Sequence, residues 1–246
     1  MFIDVHCHLD LLKDIPDSIN KAKEKGVGAI VTAGIDYATN RKVLELSERY
    51  NIVKAALGVY PIDALKMSEK GIDEEIKFIR NNKEKIIAIG EVGMDFKESN
   101  EVKRQEETFL KFIKLAKELG KPLIVHSRKS EERCIEILEA AMAKKIVMHC
   151  FCGSLKLVRR IVENGWYLSI PTNVVSSEQF QKNVIEVNIR SLLCETDSPF
   201  LHPLRQEENT PENVIYSYEK IAELKSLQLR DVERKIEENY KGLFNI

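Results

Sequence analysis

The sequence predicts an α/β fold, a parallel (β/α)8 barrel of the TIM type, and three features carry that expectation. Short β-branched runs alternate with longer amphipathic, charge-rich segments along the whole chain, the pattern of repeated βα units. About eight strand candidates can be distinguished, the number that closes a parallel barrel. Several of them, such as Pro122-Leu-Ile-Val125 and Lys145-Ile-Val-Met148, are nearly continuous apolar runs, as strands covered by outer helices require.

In chain order the strands are expected at residues 2–9, 29–35, 53–61, 86–95, 122–127, 146–152, 166–170 and 192–197. The helix signal is clearest over residues 102–119, where Phe109, Phe112, Ile113, Ala116 and Leu119 recur at three- and four-residue steps. Gly120 followed by Pro122 ends it. Thr210-Pro211 reads as a cap and a first-turn proline ahead of a Val214, Tyr218, Ile221 stripe, and a last helix carries Val232, Ile236, Tyr240 and Leu243. An open doubly wound sheet would give the same alternation, but it carries a glycine-rich phosphate loop after an early strand, and Gly26-Val-Gly28 precedes one instead. No repeat or Gly/Ser linker divides the chain, so residues 1–246 are expected to form a single domain.

Composition narrows the function. With 43% hydrophobic and 31% charged residues the 246-residue chain can bury a sizeable core, which excludes disorder and a disulfide-stapled miniprotein. The 38 basic and 39 acidic residues nearly cancel, so no whole-molecule field holds a polyanion and any nucleic-acid contact must be local. Five cysteines and a first segment without a signal-peptide pattern favour a cytoplasmic location. Charged residues interrupt every apolar stretch well short of a membrane span, and no membrane or obligate protein partner is expected.

The chemistry gathers at strand ends. His6 and His8 are two apart on the first strand and project from one face, which suits a divalent metal better than a core. His126 and His149 each follow a buried run, and Glu91 and Asp197 occupy the matching place after two others. Four imidazoles and two carboxylates from five strand ends face one opening if the barrel closes, and burying them without a cation is costly. Asp4 and Asp10 are candidates to receive the imidazoles' second N–H groups. Strand alternation directs Cys7, Cys150 and Cys152 away from the neighbouring histidines, Trp166 reads as core, and His202 as a loop residue.

The motifs Phe2-Ile-Asp-Val-His-Cys-His-Leu-Asp10, Ala88-Ile-Gly-Glu-Val-Gly-Met-Asp95, Ile124-Val-His-Ser-Arg128, His149-Cys-Phe-Cys-Gly-Ser154, Glu195-Thr-Asp-Ser-Pro-Phe200 and Asn239-Tyr-Lys-Gly-Leu-Phe244 occur in that order. Over nearly its whole length the chain resembles the TatD family of metal-dependent deoxyribonucleases, within the amidohydrolase-like barrels. The resemblance implies two divalent metal ions (zinc, magnesium or manganese): His6, His8 and Asp197 would hold one, His126 and His149 the other, and Glu91 would bridge them. Related barrels often use a carboxylated lysine at the end of the fourth strand. Glu91 in that place points toward the phosphodiesterase branch.

The departures from the family pattern lie on the substrate side. Tyr60 in Gly58-Val-Tyr-Pro61 stands where the family usually has histidine, Cys152 stands where serine is common, and the segment after Phe200 keeps part of a basic loop. Arg128, Tyr60 and Arg205 are the candidate substrate contacts, Arg128 as a bidentate phosphate clamp, with Lys97 and Lys129 ranked lower. Asp197 is the candidate for orienting or deprotonating the attacking water, with Glu91 as its catalytic companion. The expected reaction is exonuclease-type hydrolysis of single-stranded or frayed DNA ends; the alternative is an amidohydrolase or esterase acting on a small or aminoacylated substrate.

Overall fold

The computed structural model describes residues 1–204 and 208–245. Its eight strands are β1 (Phe2–Cys7), β2 (Val27–Ala33), β3 (Val53–Leu57), β4 (Ile86–Gly93), β5 (Leu123–His126), β6 (Ile146–Met148), β7 (Tyr167–Pro171) and β8 (Leu192–Glu195). They lie side by side in chain order, and every paired neighbour is parallel. This is the (β/α)8 barrel that the alternation predicts, and helices α1 (Ile15–Glu24), α2 (Tyr37–Arg49), α3 (Pro61–Lys66), α4 (Glu69–Asn81), α5 (Val102–Leu119), α6 (Glu131–Ala140), α7 (Leu155–Glu163), α8 (Glu178–Glu186), α9 (Ile215–Lys225) and α10 (Leu229–Phe244) connect or follow the strands. Among the described residues no helix is long and apolar enough to cross a membrane.

Local chemistry sets the element ends. In α5, Phe109, Phe112, Ile113 and Ala116 are buried on one face, and Gly120 closes the helix in the left-handed conformation (φ 65°) that costs glycine least. Trp166 is buried, with its indole N–H donating to the Ala143 carbonyl, so it is core as expected. Thr210 makes no side-chain cap; Pro211 instead opens a 3-10 turn, Pro211–Val214, that leads into α9.

Several strands end earlier than expected from the sequence, and the difference matters for the site. β6 stops at Met148 instead of continuing to residue 152, and β8 stops at Glu195 instead of 197. Beyond these ends Cys150 and Asp197 take left-handed backbone conformations (φ 44° and 54°). Leaving the ladder frees the following polar side chains to aim across the barrel mouth.

Closure between β8 and β1 combines backbone bonds with a buried side chain. The Asp197 amide donates to the His6 carbonyl (3.0 Å) and the His8 amide to the Ser198 carbonyl (2.7 Å). Deeper in, the fully buried Asp4 carboxyl accepts from the Thr196 amide (2.9 Å), the Thr196 hydroxyl (2.6 Å) and the His6 amide (3.3 Å). Burial pushes Asp4 up to about 7. On the outer side of β1, the buried Tyr218 hydroxyl of α9 accepts from the Ile3 amide (2.9 Å) and donates to the Ile3 carbonyl (3.1 Å).

Removing the seam carboxyl strands two buried amides and a hydroxyl. Asp4→Ala should lower unfolding free energy by about 2–4 kcal/mol in urea denaturation. Asp4→Asn, which keeps an acceptor and is uncharged like the protonated acid, should recover most of that loss. Equal unfolding midpoints for wild type and Asp4→Ala would show that the seam does not depend on this side chain.

Candidate metal centre

The barrel mouth is positioned by close backbone packing beneath it. Gly93 ends β4 at φ 145°, and a Cβ there would lie 2.0 Å from the His126 carbonyl oxygen; only glycine lets β4 carry Glu91 so close to the end of β5. Gly58 is as constrained, because an added Cβ would meet the Glu91 carbonyl oxygen at 2.6 Å.

Glu91 is the centre of the arrangement. Its side chain is 4% exposed, and its two oxygens face different histidines. Oε2 lies 3.4 Å from His6 Nε2 and 3.3 Å from His8 Nε2. Oε1 lies 2.8 Å from His126 Nδ1 and 3.7 Å from His149 Nε2. Asp197 Oδ1 completes the first side at 3.5 Å from His6 Nε2 and 3.8 Å from His8 Nε2. All six side chains singled out from the sequence therefore meet in one cup.

The fit to a cation can be tested on the distances. The four nitrogen–oxygen separations around His6 and His8, between 3.3 and 3.8 Å, exceed the hydrogen-bond range of roughly 2.7–3.2 Å. They approach the ligand–ligand edge of about 3.4 Å that a tetrahedron with bonds of about 2.1 Å would have. His6 is fully buried, and neither of its ring nitrogens has a hydrogen-bond partner among the described residues. Two trios, His6, His8, Asp197 and His6, Glu91, His149, bring one donor atom each within 4.8 Å of one another. An unpartnered buried imidazole among carboxylates fits a divalent cation.

The outer hydrogen bonds set the ring tautomers. His8 Nδ1 lies 3.1 Å from the Ala33 carbonyl, which only accepts, so the proton sits there and Nε2 turns its lone pair to the cup. His149 Nδ1 is held in the same sense by Glu195 Oε2 at 3.0 Å. Asp4 and Asp10 do not take the histidine N–H groups as expected: Asp4 is occupied by the β8 seam, and Asp10 Oδ1 has no hydrogen-bond partner among the described residues. Glu195 was not singled out by the sequence reading, although a charge inside the apolar run Leu192-Leu-Cys-Glu195 marks it. It is fully buried and also accepts from the Cys150 amide (2.9 Å) and the Ser169 hydroxyl (2.6 Å).

His126 is held between two carboxylates, Glu91 on Nδ1 and Asp95 Oδ2 on Nε2 (3.0 Å). Asp95 also accepts from the Tyr60 hydroxyl (2.8 Å), a link that sequence reasoning missed. Burial works against the charged imidazolium, but Asp95 and Glu91 outweigh it and raise His126 to about 9. Burial would likewise raise Asp95; its bonds from His126 and Tyr60 bring it down to about 2. Against burial, Asp197 and Glu91 hold His6 well above the usual imidazole range, and Glu91 itself is drawn well below the carboxylate range by His126, His6 and His8.

The cup forms one end of a cavity of about 580 Å³. Tyr60, Arg128 and Phe200 line it, with Leu11, Ile35 and Leu201 making an apolar side. The Arg128 guanidinium is half-exposed and pairs with Glu98 at 3.2 Å, so it reaches the rim with a carboxylate already beside it. Arg205 lies outside the described residues. Cys150 and Cys152 are a correction to the alternation argument: both line this cavity, because β6 has ended and the backbone at Cys150 is left-handed. Neither belongs to the trios above.

A family model described as TatD related DNase matches residues 3–245. The chain belongs to the TatD-related DNase family. It is 38% identical over 241 residues to an uncharacterized metal-dependent hydrolase of Methanocaldococcus jannaschii, covering 97% of this chain and 94% of that one. It is 35% identical over 257 residues to human deoxyribonuclease TATDN3, covering 98% and 94%. The crystal structure of the TatD homologue YjjV from Escherichia coli superposes with a TM-score of 0.93 at 28% identity, covering 100% of this chain and 98% of that one. Membership of the TatD family accounts for the six motifs together.

The raised His126 and lowered Asp95 describe one pair with a pH signature. Stability that the pair gives the metal-free protein should be fully present below the ordinary imidazole value of about 6.5 and be lost as pH rises through about 9. On the acid side it should persist down to the unfolded aspartate value near 3.8 and fall away toward about 2. Thermal unfolding of chelator-treated protein between pH 6.5 and 9.5 should therefore show a falling midpoint that Asp95→Asn flattens. A pH-independent midpoint in wild type would remove the pair from the account.

Proposed function

We propose that this protein, a metal-dependent hydrolase of the TatD family, removes nucleotides from single-stranded or frayed DNA ends with two divalent cations seated in the cup. The observation that carries this reading is the split of Glu91, one oxygen toward His6 and His8 and the other toward His126 and His149. His6, His8 and Asp197 would hold one ion, His126 and His149 the second, and Glu91 would bridge them. When bound, such cations supply Lewis acidity toward a phosphoryl oxygen and make water easier to deprotonate.

The chain's own residues would do the rest. Asp197, at 14% exposed the more open of the two site carboxylates, faces the cavity and would take the proton from the attacking water. Arg128 would exchange Glu98 for a phosphate, trading one carboxylate contact for a bidentate one. Tyr60 would act through Asp95, fixing the His126 ring, instead of replacing a substrate-binding imidazole. A cavity of about 580 Å³ is of small-ligand size, so a terminal nucleotide must leave its stack to enter. The apolar wall of Leu11, Ile35 and Leu201, with Phe200, offers that base a surface.

The same wall favours the second reading, a small amide or ester. Incubating metal-reconstituted protein with end-labelled single-stranded DNA and with simple amides and esters separates the two. Stepwise shortening of DNA should occur in wild type and fall at least about 10³-fold in Asp197→Ala, the scale of losing a positioned proton acceptor and metal donor together. Turnover of carbonyl substrates alone would overturn the nuclease reading. Arg128→Ala should raise KM for DNA about tenfold with unchanged metal content. Unaltered kinetics would take Arg128 out of the site.

A further inference from the structure

Two thiols at the cavity mouth have no part in the hydrolysis. Cys152 is exposed and Cys150 half-buried, whereas Cys7, Cys134 and Cys194 are buried. Both line the cavity that holds Glu91 and His149. Cys152 Sγ lies 3.4 Å from the Cys150 carbonyl oxygen. Residues two apart cannot have Cα atoms more than about 7 Å apart, and a turned backbone brings them into the disulfide window of about 4.4–6.8 Å. Cys152 Sγ already reaches back to the Cys150 carbonyl, and both residues line the same cavity.

We propose that Cys150 and Cys152 form an oxidisable dithiol at the lip of the site, a modification site for hydroperoxides that closes as an intramolecular disulfide. Cys152 in thiolate form attacks the distal peroxide oxygen, the O–O bond breaks, and the other oxygen leaves as water or an alcohol. The Cys150 sulfur then attacks the sulfenic sulfur of Cys152 and displaces hydroxide, which leaves as water with the Cys150 proton. Two thiols are oxidised and one hydroperoxide is reduced. The ring that forms includes the Cys150 backbone, whose amide donates to Glu195 Oε1, while Glu195 Oε2 holds the His149 ring. Closing it should turn His149 and loosen a cation there, a consequence that rests on the metal reading above.

The test treats metal-loaded protein with hydrogen peroxide and follows intact mass, peptide maps and metal content. Wild type should lose about 2 Da in a dithiothreitol-reversible step that maps to Cys150–Cys152, and this bond should form about tenfold faster than any modification at the three buried cysteines. Cys150→Ser should instead trap a sulfenic acid at Cys152, seen as a dimedone adduct. Loss of about one equivalent of metal should accompany the disulfide and be absent in Cys152→Ser. No disulfide at these positions, or equal rates at the buried cysteines, overturns the dithiol. A disulfide without metal loss keeps the dithiol and overturns only its coupling to His149.

Discussion

One buried carboxylate organises this molecule. Glu91 sits at the end of β4 with four imidazoles around it, in a place where a bare charge would be costly. Its environment offers positive charge in two forms, protonated imidazoles or cations. The raised His6 and His126 and the lowered Glu91 describe the first form. The separations around His6, too long for hydrogen bonds and suited to ligand edges, describe room for the second. The proposed loading is an exchange of protons for metal.

Around that centre three of the rings are held from outside the cup. Ala33 and Glu195 fix two rings by their outer nitrogens, and Asp95 with Tyr60 fixes a third. These partners come from β2, β8, the β4 end and the β3 end, so each of these three histidines is oriented by an element other than its own. Orientation across the barrel is what keeps such a site from loosening with any single loop.

Much of this was legible in the sequence. The eight apolar runs gave the barrel, and the placing of His6, His8, Glu91, His126, His149 and Asp197 after those runs gave the cup, because strand ends are where a parallel barrel exposes side chains. What escaped was anything set by backbone outside the ladder. Alternation assumes a strand, and beyond Met148 there is none, so Cys150 and Cys152 turned up in the cavity. Hydrogen-bond partners escaped for a related reason: Asp4 and Asp95 lie in recognisable motifs, but which atom each meets depends on distant elements such as Thr196 and Tyr60.

The Tyr218 hydroxyl joined to the Ile3 backbone spans 215 positions of chain. During synthesis β1 leaves the ribosome before the other seven barrel strands, and the groups that cover its free edge, at Thr196 and Tyr218, follow 192 to 215 positions later. A nascent barrel therefore carries an open edge for most of its translation, the condition in which strands pair with the wrong neighbour. Truncation before β8 would leave that edge uncovered permanently.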